Sequence, residues 1–157
     1  MRVVFDTTIL VDGLFVANSP SSRALREVKR GRVQLVTSPS ILGELQSVLQ
    51  NQRFRQSELR AWLITAGLRS LPNVTVVQPD DVPGIVSGDA MDDHIVAAAL
   101  ASSADVIVAT DHHLLDLKEF RVIKIVTPEE FMVLIGVDKA PPKPKTDLGD
   151  PGDQLAA

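Results

Sequence analysis

Residues 1–10, MRVVFDTTIL, place three consecutive apolar side chains directly before an acid. Residues 3–5 are typical of a short strand that is buried on both faces, because such a strand shows no alternation of apolar and polar residues. Asp6 and the two threonines that follow mark the end of this strand and the start of a helix over residues 7–16. The sequence therefore predicts a carboxylate at the end of a buried strand.

Similar apolar runs alternate with helical patterns along the rest of the chain. Further strands are predicted over 33–36, 73–77, 106–109 and 122–126. Helices are predicted over about 7–16, 21–30, 39–49, 57–70 and 93–101, with a last helix after Thr127. This order is typical of the α/β class, and we expect a three-layer α/β/α architecture with a central parallel sheet of about five strands.

Length and composition fit one globular domain. The chain has 157 residues, of which 45% are hydrophobic and 23% are charged. We expect a domain over residues 1–137 and a flexible tail over 138–157, where Pro, Gly, Lys and Asp dominate. No run of 18 apolar residues occurs, so no membrane span is expected. The absence of cysteine excludes disulfides and thiolate zinc sites and favours a cytoplasmic protein.

Charge is divided unevenly along the chain, although the net charge is only −4. Residues 1–72 carry ten basic and five acidic side chains, and residues 73–157 carry six basic and fifteen acidic ones. Such asymmetry permits a basic surface beside an acidic pocket. The best candidate for this basic surface, and so for contact with a nucleic-acid backbone, is the basic segment Arg23, Arg26, Lys29, Arg30 and Arg32. The alternative is a solvated helix face.

Four acids are expected to converge at one edge of the sheet. Asp6 and Asp111 each follow a predicted strand, and the carboxyl ends of parallel strands meet at the same edge. Glu44 and Asp93 lie on helices that follow strands. Each acid also has a simpler explanation as a helix cap, a first-turn acid or an ion-pair partner.

A cluster of carboxylates requires compensation. Two carboxylates about 4 Å apart repel each other by about 4 kcal/mol at an effective dielectric constant near 20. Either some of them are protonated or a cation lies among them. Oxygen ligands favour Mg²⁺ or Mn²⁺, and such ions bind phosphate oxygens and activate water. Hydrolysis of phosphodiesters is therefore the predicted reaction class, with Thr7 and Thr110 as supporting residues that orient ligands or water.

Four segments in order resemble the PIN-domain family, over about residues 1–136. They are FDTTIL (5–10), SPSILGEL (38–45), DAMDDHIVAAAL (89–100) and ADVIVATDHHLLDL (104–117). The resemblance implies that Asp6, Glu44, Asp93 and Asp111 are the catalytic and metal-binding quartet, with Asp92 as the alternative third acid. One departure is Thr8, where the family often has asparagine.

The resemblance also implies an activity and partners. Members of the family are metal-dependent nucleases, and many small ones are toxins of VapBC-type toxin–antitoxin pairs. We therefore expect an endoribonuclease that uses Mg²⁺ or Mn²⁺, acts on RNA, binds an antitoxin and forms a homo-oligomer, as a dimer. The alternatives are an RNA-processing nuclease without an antitoxin, a phosphoryl-transfer protein such as a receiver or a phosphatase, and a non-catalytic binding module.

Overall fold

The computed structural model describes residues 1–80 and 90–140, with side chains described from Asp92 onward in the second range. The strands are β1 Arg2–Phe5, β2 Gln34–Thr37, β3 Val74–Val76, β4 Val106–Val108, β5 Glu119–Phe120 and β6 Ile123–Val126. The helices are α1 Thr7–Phe15, α2 Pro20–Lys29, α3 Pro39–Gln50, α4 Glu58–Arg69, α5 Ala90–Ser102, α6 His112–Leu115 and α7 Pro128–Leu134. The predicted loop over 78–88 lies partly outside the described residues, as does the tail beyond 140.

The strands form one sheet in the order β3-β2-β1-β4-β6-β5. All neighbouring pairs are parallel except β5 and β6, which form an antiparallel hairpin at the edge. The predicted α/β class with a central parallel sheet is confirmed. The edge strand β5 was not predicted, because its two residues are too few to show a hydrophobic pattern.

Chain order reverses at the centre of this sheet. From β1 the chain proceeds through β2 to β3 on one side, and it then returns to β4 on the other side of β1. Ligands of open parallel sheets bind outside the carboxyl ends of the strands at such a switch point. Asp6 follows β1 and Asp111 follows β4 after two intervening residues, so both acids flank this position.

Local signals fix most helix starts. The N–H of Ile41 donates to the Ser38 side chain at 3.3 Å, and Pro39 occupies the first helical position, as predicted. Thr127 and Glu130 form a reciprocal capping box at the start of α7. α5 begins at Ala90, before the predicted start, because alanine and methionine are good helix formers. Asp92 and Asp93 consequently share its first turn.

A buried apolar core supports the carboxyl edge. Val3, Val4 and Phe5 of β1 are buried, and α5 packs against β1, β2 and β4. The apolar body of α5 is buried between Ile95 and Ala99, as expected for a helix that is apolar all round. This packing holds the first turn of α5 in a fixed position relative to the end of β1.

Contacts with the domain extend slightly beyond the boundary predicted at residue 137. The backbone N–H groups of Val137 and Asp138 both donate to the carbonyl of Met132, at 3.0 and 3.1 Å. The Asp138 side chain also accepts from Arg23 on α2. Within the described part of the chain, no helix is long and apolar enough to cross a membrane.

Candidate functional site at the carboxyl edge of the sheet

An acidic pocket of about 220 Å³ opens at the switch point. The described residues that line it are Asp6, Thr7, Thr8, Val11, Asp12, Glu44, Val48, Asn51, Arg53, Phe54, Asp92 and Asp111. A larger groove of about 540 Å³ between α3 and α4 is lined mainly by apolar and neutral residues. The smaller pocket is the better candidate for chemistry because it gathers titratable groups from β1, α1, α3 and α5 and the end of β4.

Asp6 is a buried acid of this pocket with a strongly raised pKa. Its backbone N–H donates to the carbonyl of Val108 at 2.9 Å, which anchors it between the two central strands. The residue stands at the N-cap position of α1, yet its side chain makes no capping hydrogen bond. Burial above all, and then the charges of Asp92, Glu44 and Asp111, together raise the pKa of Asp6 from its ordinary value of 3.8 to about 7, against the lowering effect of a hydrogen bond from the Thr7 backbone.

Glu44 reaches the pocket from the second turn of α3 and is held by Thr7. The Thr7 hydroxyl donates to Glu44 Oε2 at 2.5 Å, a length typical of a hydrogen bond to an ionised carboxylate. Thr7 is itself buried, with only 4% of its surface exposed, so few rotamers are open to it. The contact therefore fixes Glu44 against α1, and it agrees with the supporting role predicted for Thr7.

Asp111 lines the pocket and also caps a helix. Its Oδ1 accepts from the backbone N–H of His113 at 2.8 Å, which makes it the N-cap of the short helix α6. The simpler explanation given to Asp111, that of a helix cap, is therefore confirmed, and its catalytic role stays a prediction. The predicted supporting residue Thr110 is exposed and does not line the pocket.

The third acid that lines the pocket is Asp92, whereas the sequence analysis preferred Asp93 and gave Asp92 as the alternative. Asp92 is only 4% exposed, lines the pocket and raises the pKa of Asp6. Asp93 is half-buried and is absent from the pocket lining. Adjacent residues of a helix point about 100° apart, so the two acids point in different directions. The start of α5 at Ala90, together with its packing on the sheet, gives that place to Asp92.

Two charged lining residues, Asp12 and Arg53, were not predicted from the sequence as parts of a site. Asp12 adds a fifth carboxylate and lies one helical turn after Thr8 on the same face of α1. Arg53 is the one basic side chain among the described lining residues. The available signal was the segment Arg53-Phe54-Arg55, in which basic and aromatic residues are interleaved, a composition common in nucleic-acid-binding surfaces.

The predicted basic surface on α2 does not line the pocket. Arg23 pairs with Asp138, which raises the pKa of the Arg23 guanidinium. Arg30 pairs with the buried Glu27 at 2.9 Å, and Arg32 pairs with the same carboxylate at 3.1 Å. These arginines therefore compensate acids of the protein itself.

The oxygen ligands of the pocket are of the kind that a hard divalent cation prefers, although two of the carboxylates accept hydrogen bonds from the protein. Among the described residues, no three acidic or imidazole groups are close enough to hold one ion as they stand. Glu44 and Asp111 accept hydrogen bonds from Thr7 and the His113 backbone instead. The donors are nevertheless all oxygen atoms, and the charges that raise the pKa of Asp6 would be offset by a cation.

Fold and pocket together define an α/β protein with an acidic site at the switch point of a parallel sheet. The family model of the PIN domain matches residues 2–113, and the chain belongs to the PIN-domain family. A solved structure with this fold is the crystal structure of VapBC2 from Rickettsia felis bound to a DNA fragment from their promoter. The similarity has a TM-score of 0.55 at 15% identity and covers 80% of this chain and 97% of that chain. No curated protein matches the sequence significantly.

Proposed function

We propose that the protein is an endoribonuclease that depends on Mg²⁺ or Mn²⁺ and serves as the toxin of a type II toxin–antitoxin pair. The observation that carries the proposal is the convergence of Asp6, Glu44, Asp92 and Asp111 in one pocket of a PIN-domain chain. These four acids are the proposed metal-binding and catalytic residues, with Asp92 in the place first given to Asp93. The family match disfavours the receiver and phosphatase alternatives.

The residues of the pocket have distinct roles in this proposal. A divalent cation bound by the four acids would supply Lewis-acid stabilisation of the phosphate and activation of a water molecule. Asp6 is buried, and its pKa is raised mainly by that burial and in part by the repulsion of the neighbouring acids, which binding of a cation would relieve. Thr7 orients Glu44 through its short hydrogen bond, as partners of ligating carboxylates commonly do. RNA in the cytoplasm is the proposed substrate.

Cleavage of RNA tests this function directly. The wild type is expected to cut a labelled RNA transcript with Mg²⁺ or Mn²⁺ and to lose that activity with EDTA. Asp6→Asn should abolish cleavage while leaving the far-UV circular dichroism spectrum unchanged. Asp93→Asn is the matched control, because it removes one charge beside the pocket without altering the lining. Cleavage by the Asp6 variant at the wild-type rate would contradict the proposal.

Two basic residues of α2 remain in the proposal as peripheral contacts with RNA. Arg26 and Lys29 are exposed and make no ion pair within the described part of the chain. They also lie in the last turn of α2, where positive charge favours the helix dipole. Replacing both with alanine should flatten the salt dependence of RNA binding, whereas an unchanged slope would leave them a helix-stabilising role only.

Protein partners form the second part of the proposal. The VapBC2 likeness supports an antitoxin as a partner of this chain.

Self-association as a dimer is supported by the face of α4, where Leu59, Trp62 and Leu63 are 65%, 54% and 53% exposed. Light scattering of the isolated protein should give a dimer mass, and replacing these three residues with serine should give a monomer. A monomeric wild type would contradict this part of the proposal.

A further inference from the structure

The loop after α3 brings a single positive charge to the acidic pocket. Arg53 and Phe54 line the pocket together with five carboxylates of the described lining. In the described part of the chain, no carboxylate lies within ion-pair distance of the Arg53 guanidinium. Arg23 and Arg30 each neutralise a neighbouring acid. Arg53 has no such ion pair among the described residues, so its position at the pocket needs another explanation.

The backbone of this loop is held in a defined shape. The Asn51 side-chain oxygen accepts from the N–H groups of Arg53 and Phe54 at 3.0 and 3.4 Å. The N–H of Arg55 donates to the Asn51 carbonyl at 2.8 Å, and that of Gln56 donates to Leu49 at 2.9 Å. The Gln56 side chain also donates to the carbonyl of Phe54 at 2.9 Å. These hydrogen bonds fix the backbone position of Arg53, although the Arg53 side chain itself is exposed.

Aromatic rings lie directly beside the guanidinium. The central carbon of the Arg53 guanidinium is 5.2 Å from the centre of the Phe54 ring. The Phe54 ring is 5.4 Å from that of Phe15, at an angle of 46°. Phe15 is 41% exposed, so its ring is accessible at the surface. Arg53 and Phe54 thus border the carboxylate pocket, and the Phe15 ring lies next to Phe54 and extends this surface away from the pocket.

We propose that Arg53, Phe54 and Phe15 bind a single-stranded segment of the RNA next to the scissile phosphate. The inference rests on the proposed ribonuclease function and assigns contact with the RNA to residues outside the acidic quartet. Arginine contacts phosphate through a planar fork of donors, and aromatic faces accept unstacked bases. Bases in a duplex are stacked on each other and cannot use such a surface, so an unpaired strand is the substrate that fits.

Binding measured without metal tests the surface separately from cleavage. The probe is a fluorescein-labelled single-stranded RNA of about 12 nucleotides, within the span that such grooves cover, titrated in EDTA and followed by anisotropy. Arg53→Ala should weaken binding about tenfold and reduce the slope of log K against log salt by about 0.7, the value for one phosphate contact on a single strand. Phe54→Leu should weaken binding about fivefold or more without changing the slope.

Arg55→Ala is the matched control, because it removes an equal charge from the same loop. The Arg55 side chain donates back to the Gln52 carbonyl at 3.1 Å and does not line the pocket, so it should change binding and slope far less. Equal losses for Arg53→Ala and Arg55→Ala, or equal binding of a duplex of the same sequence, would overturn the inference. Wild type that binds through Arg53 but never cleaves RNA would instead refute the proposed activity.

Discussion

Replacing Asp6 with asparagine should make the metal-free protein more stable at pH 8. Asp6 has a pKa of about 7 in the folded protein against an ordinary value of 3.8. That difference corresponds to about 4 kcal/mol of destabilisation by the ionised carboxylate, which is an upper limit because the protein relaxes around a charge. Asparagine keeps the shape of the side chain and cannot ionise, so it removes this term.

The pH dependence has a defined sign. Because the folded state holds the Asp6 proton more tightly than the unfolded state does, the contribution of Asp6 to the free energy of unfolding falls as pH rises from about 4 to about 7. Below pH 4 both states are protonated, and the wild type and Asp6→Asn should differ little through this group. Above pH 7 the free energy of unfolding of Asp6→Asn should exceed that of the wild type by about 1 to 3 kcal/mol, which is a fraction of the upper limit.

Urea unfolding of the wild type and of Asp6→Asn in EDTA, at pH 5 and at pH 8, measures the difference in their free energy of unfolding and how that difference depends on pH. Mn²⁺ adds a second test, since a ligand that binds only the native state stabilises it by about 2.7 kcal/mol at a concentration one hundred times its dissociation constant. The wild type should gain from Mn²⁺, and Asp6→Asn should gain little. A variant less stable than the wild type at pH 8, with the metal response intact, would refute the reasoning and return Asp6 to a structural role.

Three further predictions concern the pocket and the chain end. Asp92→Asn should abolish most cleavage and the stabilisation by Mn²⁺, whereas Asp93→Asn should retain both, because only Asp92 lines the pocket; paired melting curves and RNA cleavage assays decide between them. Thr7→Val should lower metal affinity about tenfold, as measured by calorimetry, through loss of its hydrogen bond to the α3 carboxylate; unchanged affinity would deny Thr7 an orienting role. Truncation after Lys139 should leave the melting temperature unchanged. Truncation after Val137 should lower the melting temperature only at low salt, because it removes the ion pair between Asp138 and Arg23 of α2. Unfolding caused by either truncation would show that the tail is part of the domain.

Local sequence signals were sufficient for the fold and for much of the site. Strand ends and helix caps depend on a few consecutive residues, so the positions of Asp6, Glu44 and Asp111 along their elements could be predicted. A parallel sheet then brings its carboxyl edge together by geometry alone. The structure does place these three acids in one pocket, and their catalytic role stays a prediction.

Tertiary structure decided what no local pattern contains. Whether Asp92 or Asp93 faces the pocket depends on the rotation of α5 about its axis, which is set by packing against three strands. Arg23 is paired with a carboxylate 115 positions away, which charge counts along the chain cannot show. Arg53 reaches the pocket because the loop after α3 folds back over α1, where Phe54 meets Phe15. Contacts between residues distant in sequence follow from the packing of whole elements, and that packing is fixed only when the chain has folded.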